Sequence, residues 1–173
     1  MNIGFMTTWP KKMKELEGKP TYFPEKILTS LIESRIQLNW QMFGEAKNIA
    51  KIPPYEFSNG AFKPKHHTIR ENKKGRYSNN VVLQPFIWTN KPYRSPQFYF
   101  SPNFKCVSTQ IIQIIHSGEK WRMPWVMVDG FIMTAPEIEV IAHNDGFDST
   151  KDFFKWFDTD FTGDIIHWTN LKY

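Results

Sequence analysis

The dipeptide Asp129-Gly130 sits between Val126-Met127-Val128 and Phe131-Ile132-Met133, and it limits the fold more than any other feature of the chain. Asp-Gly between β-prone residues is the strongest short-range hairpin signal, because a two-residue turn needs positive φ at its central positions. An antiparallel sheet is therefore expected, and other segments agree. His66–Arg70, Val81–Trp88, Gln97–Phe100 and Cys106–His116 have the branched and aromatic content of strands. Ile3–Thr8 reads as an opening strand and Ile165–Trp168 as a closing one.

Helical signals lie around these strands. Pro24 is placed to begin a helix with Glu25 in its first turn, and Ile27, Leu28, Leu31 and Ile32 repeat at helical spacing. A second helical stretch is expected over Leu38–Ala50, before the breaks at Pro53-Pro54 and Asn59-Gly60. Pro136–Asn144 reads as a helix closed at Gly146. Ser149 or Thr150 can cap another through Phe157, with Asp152 in its first turn. Pro10–Pro20 reads as a basic loop or irregular turn. The sum is an α+β chain of one domain over residues 1–173. About six short strands form a small mixed barrel with flanking helices, and residues 24–60 form a helical insertion.

With 173 residues the chain can bury a sizeable core without staples. Its one cysteine, Cys106, has no partner for an internal disulfide, which fits a reducing compartment and a small core residue. Met1–Trp9 lacks the pattern of a signal peptide, and no stretch has the roughly 20 apolar residues that span a bilayer. A cytoplasmic protein away from membranes is expected. Charge is unevenly spread: residues 1–128 carry 19 Lys and Arg against 8 Asp and Glu, and residues 129–173 carry 3 against 9. A basic surface of this kind attracts polyanions. Aromatic residues make up 16% of the chain, enough to fill a core and still leave rings to stack on bases.

The densest basic run is residues 64–76, where Lys65, Arg70, Lys73, Lys74 and Arg76 surround His66, His67 and Thr68. A hydroxyl and two imidazoles among cations suit a cleft that holds a phosphate or nucleobase better than a solvated loop. On a strand, His66, Thr68 and Arg70 share one face, and Lys65, His67 and Ile69 the other. Lys65 and Thr68 can converge only if Lys65 lies in a bend before the strand, which Pro64 favours. Adjacent histidines point to opposite faces, and no Cys-x-x-Cys or His-x-x-x-His spacing is present, so no metal site is expected. No phosphate-cradling glycine loop appears either, and no cofactor is expected.

Lys65-x-x-Thr68-x-Arg70, together with Ala142-His143-Asn144-Asp145-Gly146-Phe147 and the closing Ile165-Ile166-His167-Trp168, resembles the ASCH domain family. The resemblance covers roughly residues 61–173 and points to the larger members found in phages and their bacterial hosts. It implies a PUA-like barrel that binds RNA or a nucleoside in a basic cleft, with Arg70 contacting the ligand; His66 and Arg76 of the basic run and Trp121, a candidate stacking ring, are the further expected contacts. Some small members are amidohydrolases that deacylate N4-acetylcytidine. That likeness implies Thr68 as nucleophile or water-positioning hydroxyl, Lys65 as its activator or oxyanion donor, and Asp145 as proton shuttle. Asp145 is one methylene shorter than the family's Glu, and Asn79-Asn80 replaces its Gly-Asp turn.

Three functions follow as expectations. The first is a non-catalytic RNA or nucleoside module and the second an amidohydrolase acting on an N4-acylated cytidine. The third is an interaction or inhibitor protein that uses the 24–60 insertion to meet a protein partner.

Overall fold

The structure, a computed structural model, describes residues 1–34, 62–118 and 123–173. In chain order the elements are β1 (Asn2–Phe5), a 3-10 helix (Lys11–Leu16), α1 (Phe23–Glu33), β2 (His67–Arg70), β3 (Val82–Trp88), β4 (Gln97–Tyr99), β5 (Phe104–Lys105), β6 (Ser108–Ile115), β7 (Trp125–Val128), β8 (Phe131–Ile132), α2 (Ala135–Asn144), α3 (Thr150–Trp156) and β9 (Phe161–His167). The architecture is mixed α+β, with two sheets that run as open strand orders among the described residues. Nine strands are described where about six were expected. Eight of the nine fall on the segments read as strands from the sequence, and the ninth, Phe104–Lys105, is two residues long, too short to leave an alternating pattern. The expected helix over 38–50, and with it most of the 24–60 insertion, lies outside the described residues. No helix among the described residues is long and apolar enough to cross a membrane.

The chain divides into two compact units, one of Met1–Lys65 with Val82–Lys105 and one of His66–Val81 with Cys106–Tyr173. In the first, β3 is the central strand: β1 pairs with it in parallel, and β4 and β5 pair antiparallel along its other edge. Pro85 lies inside this central strand, where proline normally disqualifies the assignment. Gln84 N–H bonds the Met1 carbonyl at 2.8 Å on the β1 side, so the next residue's N–H position faces the other edge. There β5 reaches only Leu83 and β4 begins only at Phe86, so the missing donor falls in the gap between them.

Helix α1 buries Ile27, Leu28 and Leu31, and Pro24 lies in its first turn. The run Pro10–Pro20 is more ordered than a basic loop. Met13 is fully buried within the 3-10 helix, Trp9 exchanges backbone bonds with Gly18 and Lys19, and its ring packs edge-on to Phe23 at 5.3 Å. Two buried apolar anchors override the charge of the intervening lysines.

The second unit holds an antiparallel sheet of order β2-β9-β6-β7-β8. Asp129 (φ 51) and Gly130 (φ 86) form the two-residue turn joining β7 to β8, as the Asp-Gly signal requires. Register places His67, Ile69, Ile165, His167, Ser108, Gln110, Ile112, Ile114, Val126 and Val128 on one face. The apolar members of that face are buried, while Ile111, Ile115 and Trp125 on the opposite face are exposed. This is the alternation of a sheet with one face in a core.

Both helices of this unit carry the signals read from sequence. Helix α2 opens with a capping box in which Thr134 N–H donates to Glu137 Oε2 at 2.7 Å, and Pro136 sits in its first turn. It closes with Gly146 N–H on the His143 carbonyl and Phe147 N–H on the Ala142 carbonyl, with Gly146 at φ 92. Ser149 caps α3 by accepting the Asp152 N–H at 3.1 Å.

Gly163, in β9, is fixed by close approach. A Cβ there would collide with the Arg70 carbonyl oxygen on β2 and lie 2.7 Å from the Phe161 ring. Because the first obstacle is backbone, the strand pair itself must shift. Gly163→Ala is expected to lower unfolding free energy by about 1–3 kcal/mol, the usual cost of overpacking. Denaturant titration checks this, and an unchanged midpoint would contradict the register given above.

Candidate functional site

Strand β2 is the edge of its sheet, and its open side is closed by the end of α2. His66 N–H donates to the Asn144 carbonyl at 2.9 Å, and Ile69 N–H donates to Asp145 Oδ1 at 3.2 Å. Asp145 is the C-cap residue of α2, 4% exposed, and the same Oδ1 lies 3.9 Å from His67 Nδ1. The acidic partner expected from the sequence therefore does reach the motif strand. What it meets is the strand's backbone and His67.

His67 and His167 pair across β2 and β9, with ring centroids 5.3 Å apart and edge-on. Tyr173 returns to this point: its ring stands 5.5 Å from His67 and 5.9 Å from His167. Its hydroxyl contacts His67 Nε2 at 2.7 Å and accepts a bond from Asn144 Nδ2 at 2.9 Å. Burial, with a smaller push from the Asp145 charge, raises the Tyr173 hydroxyl above its ordinary pKa against the opposing Asn144 bond, so it stays protonated.

Gln110 holds the backbone of the same residue. Its Oε1 accepts Tyr173 N–H at 2.9 Å, and its Nε2 donates to the Tyr173 carbonyl at 2.8 Å and to Asp129 Oδ2 at 3.0 Å. Three polar atoms of this cluster have no hydrogen-bond partner among the described residues: Ser108 Oγ, His167 Nδ1 and His167 Nε2. Burial pushes the His167 imidazole down to about 4, aided by Lys172 and opposed by Asp129. It is therefore neutral at physiological pH, able to donate through one nitrogen and accept through the other.

The sequence-expected residues fall in several places. Thr68 is 3% exposed and, by strand alternation, projects from the face opposite His67. Arg70 follows it on the same face and is partly buried. His66 precedes the strand and is partly buried, and Arg76 is exposed in the loop after it. Lys65 belongs to the first unit, where it is 2% exposed. Its N–H bonds the Lys26 carbonyl at 2.9 Å, and its Nζ lies 4.9 Å from the centre of the Phe23 ring. Trp121 lies outside the described residues. No three His, Cys, Asp or Glu side chains among the described residues are grouped to hold a metal ion.

Sequence reading missed Gln110, Asn144, His167 and Tyr173 as members of one site. One signal was available: Gln110 is a polar residue at a core position of the alternation Gln110-x-Ile112-x-Ile114. Nothing local marks Tyr173.

The buried His167 makes stability depend on pH with a defined sign. Its folded pKa is depressed, so the stability is complete above the ordinary value of about 6.5 and is lost as pH falls through about 4. The expected loss over that window is up to about 3 kcal/mol. His167→Phe keeps a ring but cannot titrate, so its denaturation midpoint should fall less than that of the native chain over the same interval. Equal slopes in the two proteins would contradict the burial described here.

Compared with protein-family models, with curated proteins and with solved structures, the chain matches none.

Proposed function

We propose that this chain is an ASCH-type, PUA-like barrel domain that binds RNA or a nucleoside. The observation that carries the reading is the loop leaving β2. Asn72 pins its base by donating to the Tyr77 carbonyl at 3.0 Å and to Asp164 Oδ2, and by accepting Tyr77 N–H at 3.1 Å. Gly75, at φ 58, turns the chain, and Lys73, Lys74 and Arg76 stand exposed on the held loop. The ion pair of Lys73 with Glu71, at 3.2 Å between two exposed side chains, holds that lysine only weakly. Cations on a braced loop meet phosphates without the ordering cost of a free one. The loop also begins where β2, the strand that carries Thr68, ends.

Single-stranded RNA should be retarded at low salt, and log Kd should depend steeply on log salt. Replacing Lys73, Lys74 and Arg76 together by Ala should lower that slope by about 2, the share of three phosphate contacts on a single strand. Absence of retardation at low salt, or an unchanged slope in the triple variant, would count against the reading.

Amidohydrolysis of an N4-acylated cytidine is the second reading, favoured by burial of Thr68 at a position that the motif makes nucleophilic. A hydroxyl shielded from bulk water is a better acyl acceptor once its proton is taken. Incubation with N4-acetylcytidine should then release cytidine, and Thr68→Ala should abolish the release while leaving the melting curve in place. Equal turnover by the variant would exclude this chemistry at Thr68.

A further inference from the structure

The six residues after β9 form a strap, Trp168-Thr-Asn-Leu-Lys-Tyr173, whose last ring is set among polar groups. Gln110 fixes the strap through the Tyr173 backbone alone, using both ends of its amide. The ring is therefore held separately from the main chain. Tyr173 as a residue is only partly buried, whereas His67 and His167 beside its ring are fully buried. Removing the ring would leave the main-chain clamp in place and vacate the space beside the two histidines.

The recess has unmet hydrogen-bonding capacity. Ser108 Oγ and both His167 ring nitrogens are buried without partners among the described residues, and Ser108 pairs with His167 in register across β6 and β9. A buried polar group left without a bond is costly to a folded chain. Groups of this kind in a folded chain call for a specific reason, such as a ligand that completes them. Beside them, Asn144 Nδ2 and His67 Nε2 both point at the Tyr173 hydroxyl, where they would read a polar edge on any ring in its place.

We infer that the Tyr173 socket is a ligand site held shut by the chain's own side chain, and that the occupant it takes in exchange is a pyrimidine ring. This rests on the nucleoside-binding reading above and names the base. A phenol and a pyrimidine share a planar six-membered outline, and exocyclic groups of the pyrimidine edge occupy the place of the hydroxyl. There the Asn144 amide donates to a carbonyl oxygen, and His67, through either tautomer, donates or accepts. His167, tilted by 42° at 5.9 Å from the Tyr173 ring, flanks the occupant, while His67 stands edge-on at its polar end, and His167 and Ser108 gain partners. A purine, with its fused second ring, is too large for a recess shaped to one phenol.

The test is calorimetric titration of cytidine, uridine and adenosine into the native chain and into Tyr173→Ala and Tyr173→Phe. Removing the plug removes its competition, so Tyr173→Ala should bind cytidine or uridine at least about tenfold more tightly than the native chain. Tyr173→Phe keeps the ring but loses the hydroxyl's bonds to Asn144 and His67, so it should bind cytidine or uridine more tightly than the native chain and less tightly than Tyr173→Ala, and adenosine should not bind any of the three. Pyrimidine binding to Tyr173→Ala no tighter than to the native chain overturns the proposal, as does equal uptake of adenosine.

Should Tyr173→Ala fail to fold, the native chain still decides. Saturating cytidine should shift the ring-proton resonances of His67 and His167, and unmoved resonances overturn the proposal. RNA retardation through the Lys73–Arg76 loop is measured separately. Its presence with no gain in Tyr173→Ala sinks the socket alone. A gain in Tyr173→Ala without retardation supports the socket and sinks the RNA reading.

Discussion

The docking of one helix end on one strand edge organises the second unit. An edge strand exposes backbone donors and acceptors that need cover, and a helix end leaves carbonyls without partners. Here the two needs meet. The Asn144 carbonyl takes His66 N–H, the Asp145 carboxylate takes Ile69 N–H, and Gly146 turns the chain away so that the helix can end at that spot. With the edge closed in this way, β2 has one free choice left, its register against β9. The close approach of Gly163 to the Arg70 carbonyl admits the register seen.

Register then decides which chemistry faces where. A slip of one residue would exchange the two faces of β2 and carry His67 away from His167 and Tyr173. The observed pairing gives the inner face an apolar centre of Ile112, Ile114, Val126, Val128 and Ile165, with a polar end at His67, His167, Ser108 and Gln110. The polar end is costly, since neutral imidazole is enforced there by burial. A core assembled for stability alone would place aliphatic residues at those positions, as it does a few residues further along the same strands.

Local features were legible in the sequence where they depended on few residues. Asp129-Gly130, the Ser149 cap, the Pro136 helix and the strand at Thr68 each follow from local backbone preference or side-chain-to-backbone bonding. The Lys11–Leu16 segment was not legible, because its order comes from Met13 and Trp9 finding apolar partners rather than from its own composition. Neither was the polar cluster. His67 and His167 are separated by nearly the whole second unit and meet only through β2–β9 pairing, and Gln110 reaches Tyr173 across the end of the sheet. Adjacent histidines were read as unable to share one ion. The same alternation that separates His66 from His67 brings His67 directly across the strand pair from a third histidine instead.

Asp145 shows how a residue can reach the strand of its motif and still carry a different weight there. The resemblance to the ASCH family associates it with the Lys-x-x-Thr-x-Arg strand, and the helix end brings its carboxylate to the Ile69 N–H of that strand. Its Oδ1 already holds Ile69 N–H and stands near His67, so any proton it handles passes through a carboxylate that also fixes the sheet edge. A shuttle benefits from a carboxylate that can change its protonation without disturbing the fold, and a strand anchor needs one that stays ionised and still. The shorter Asp side chain, drawn up against the backbone of β2, suits anchoring. In the binding proposed for this chain, recognition then falls to the groups set beyond the anchor: Asn144 and His67 at the Tyr173 hydroxyl, and the cations of the braced loop.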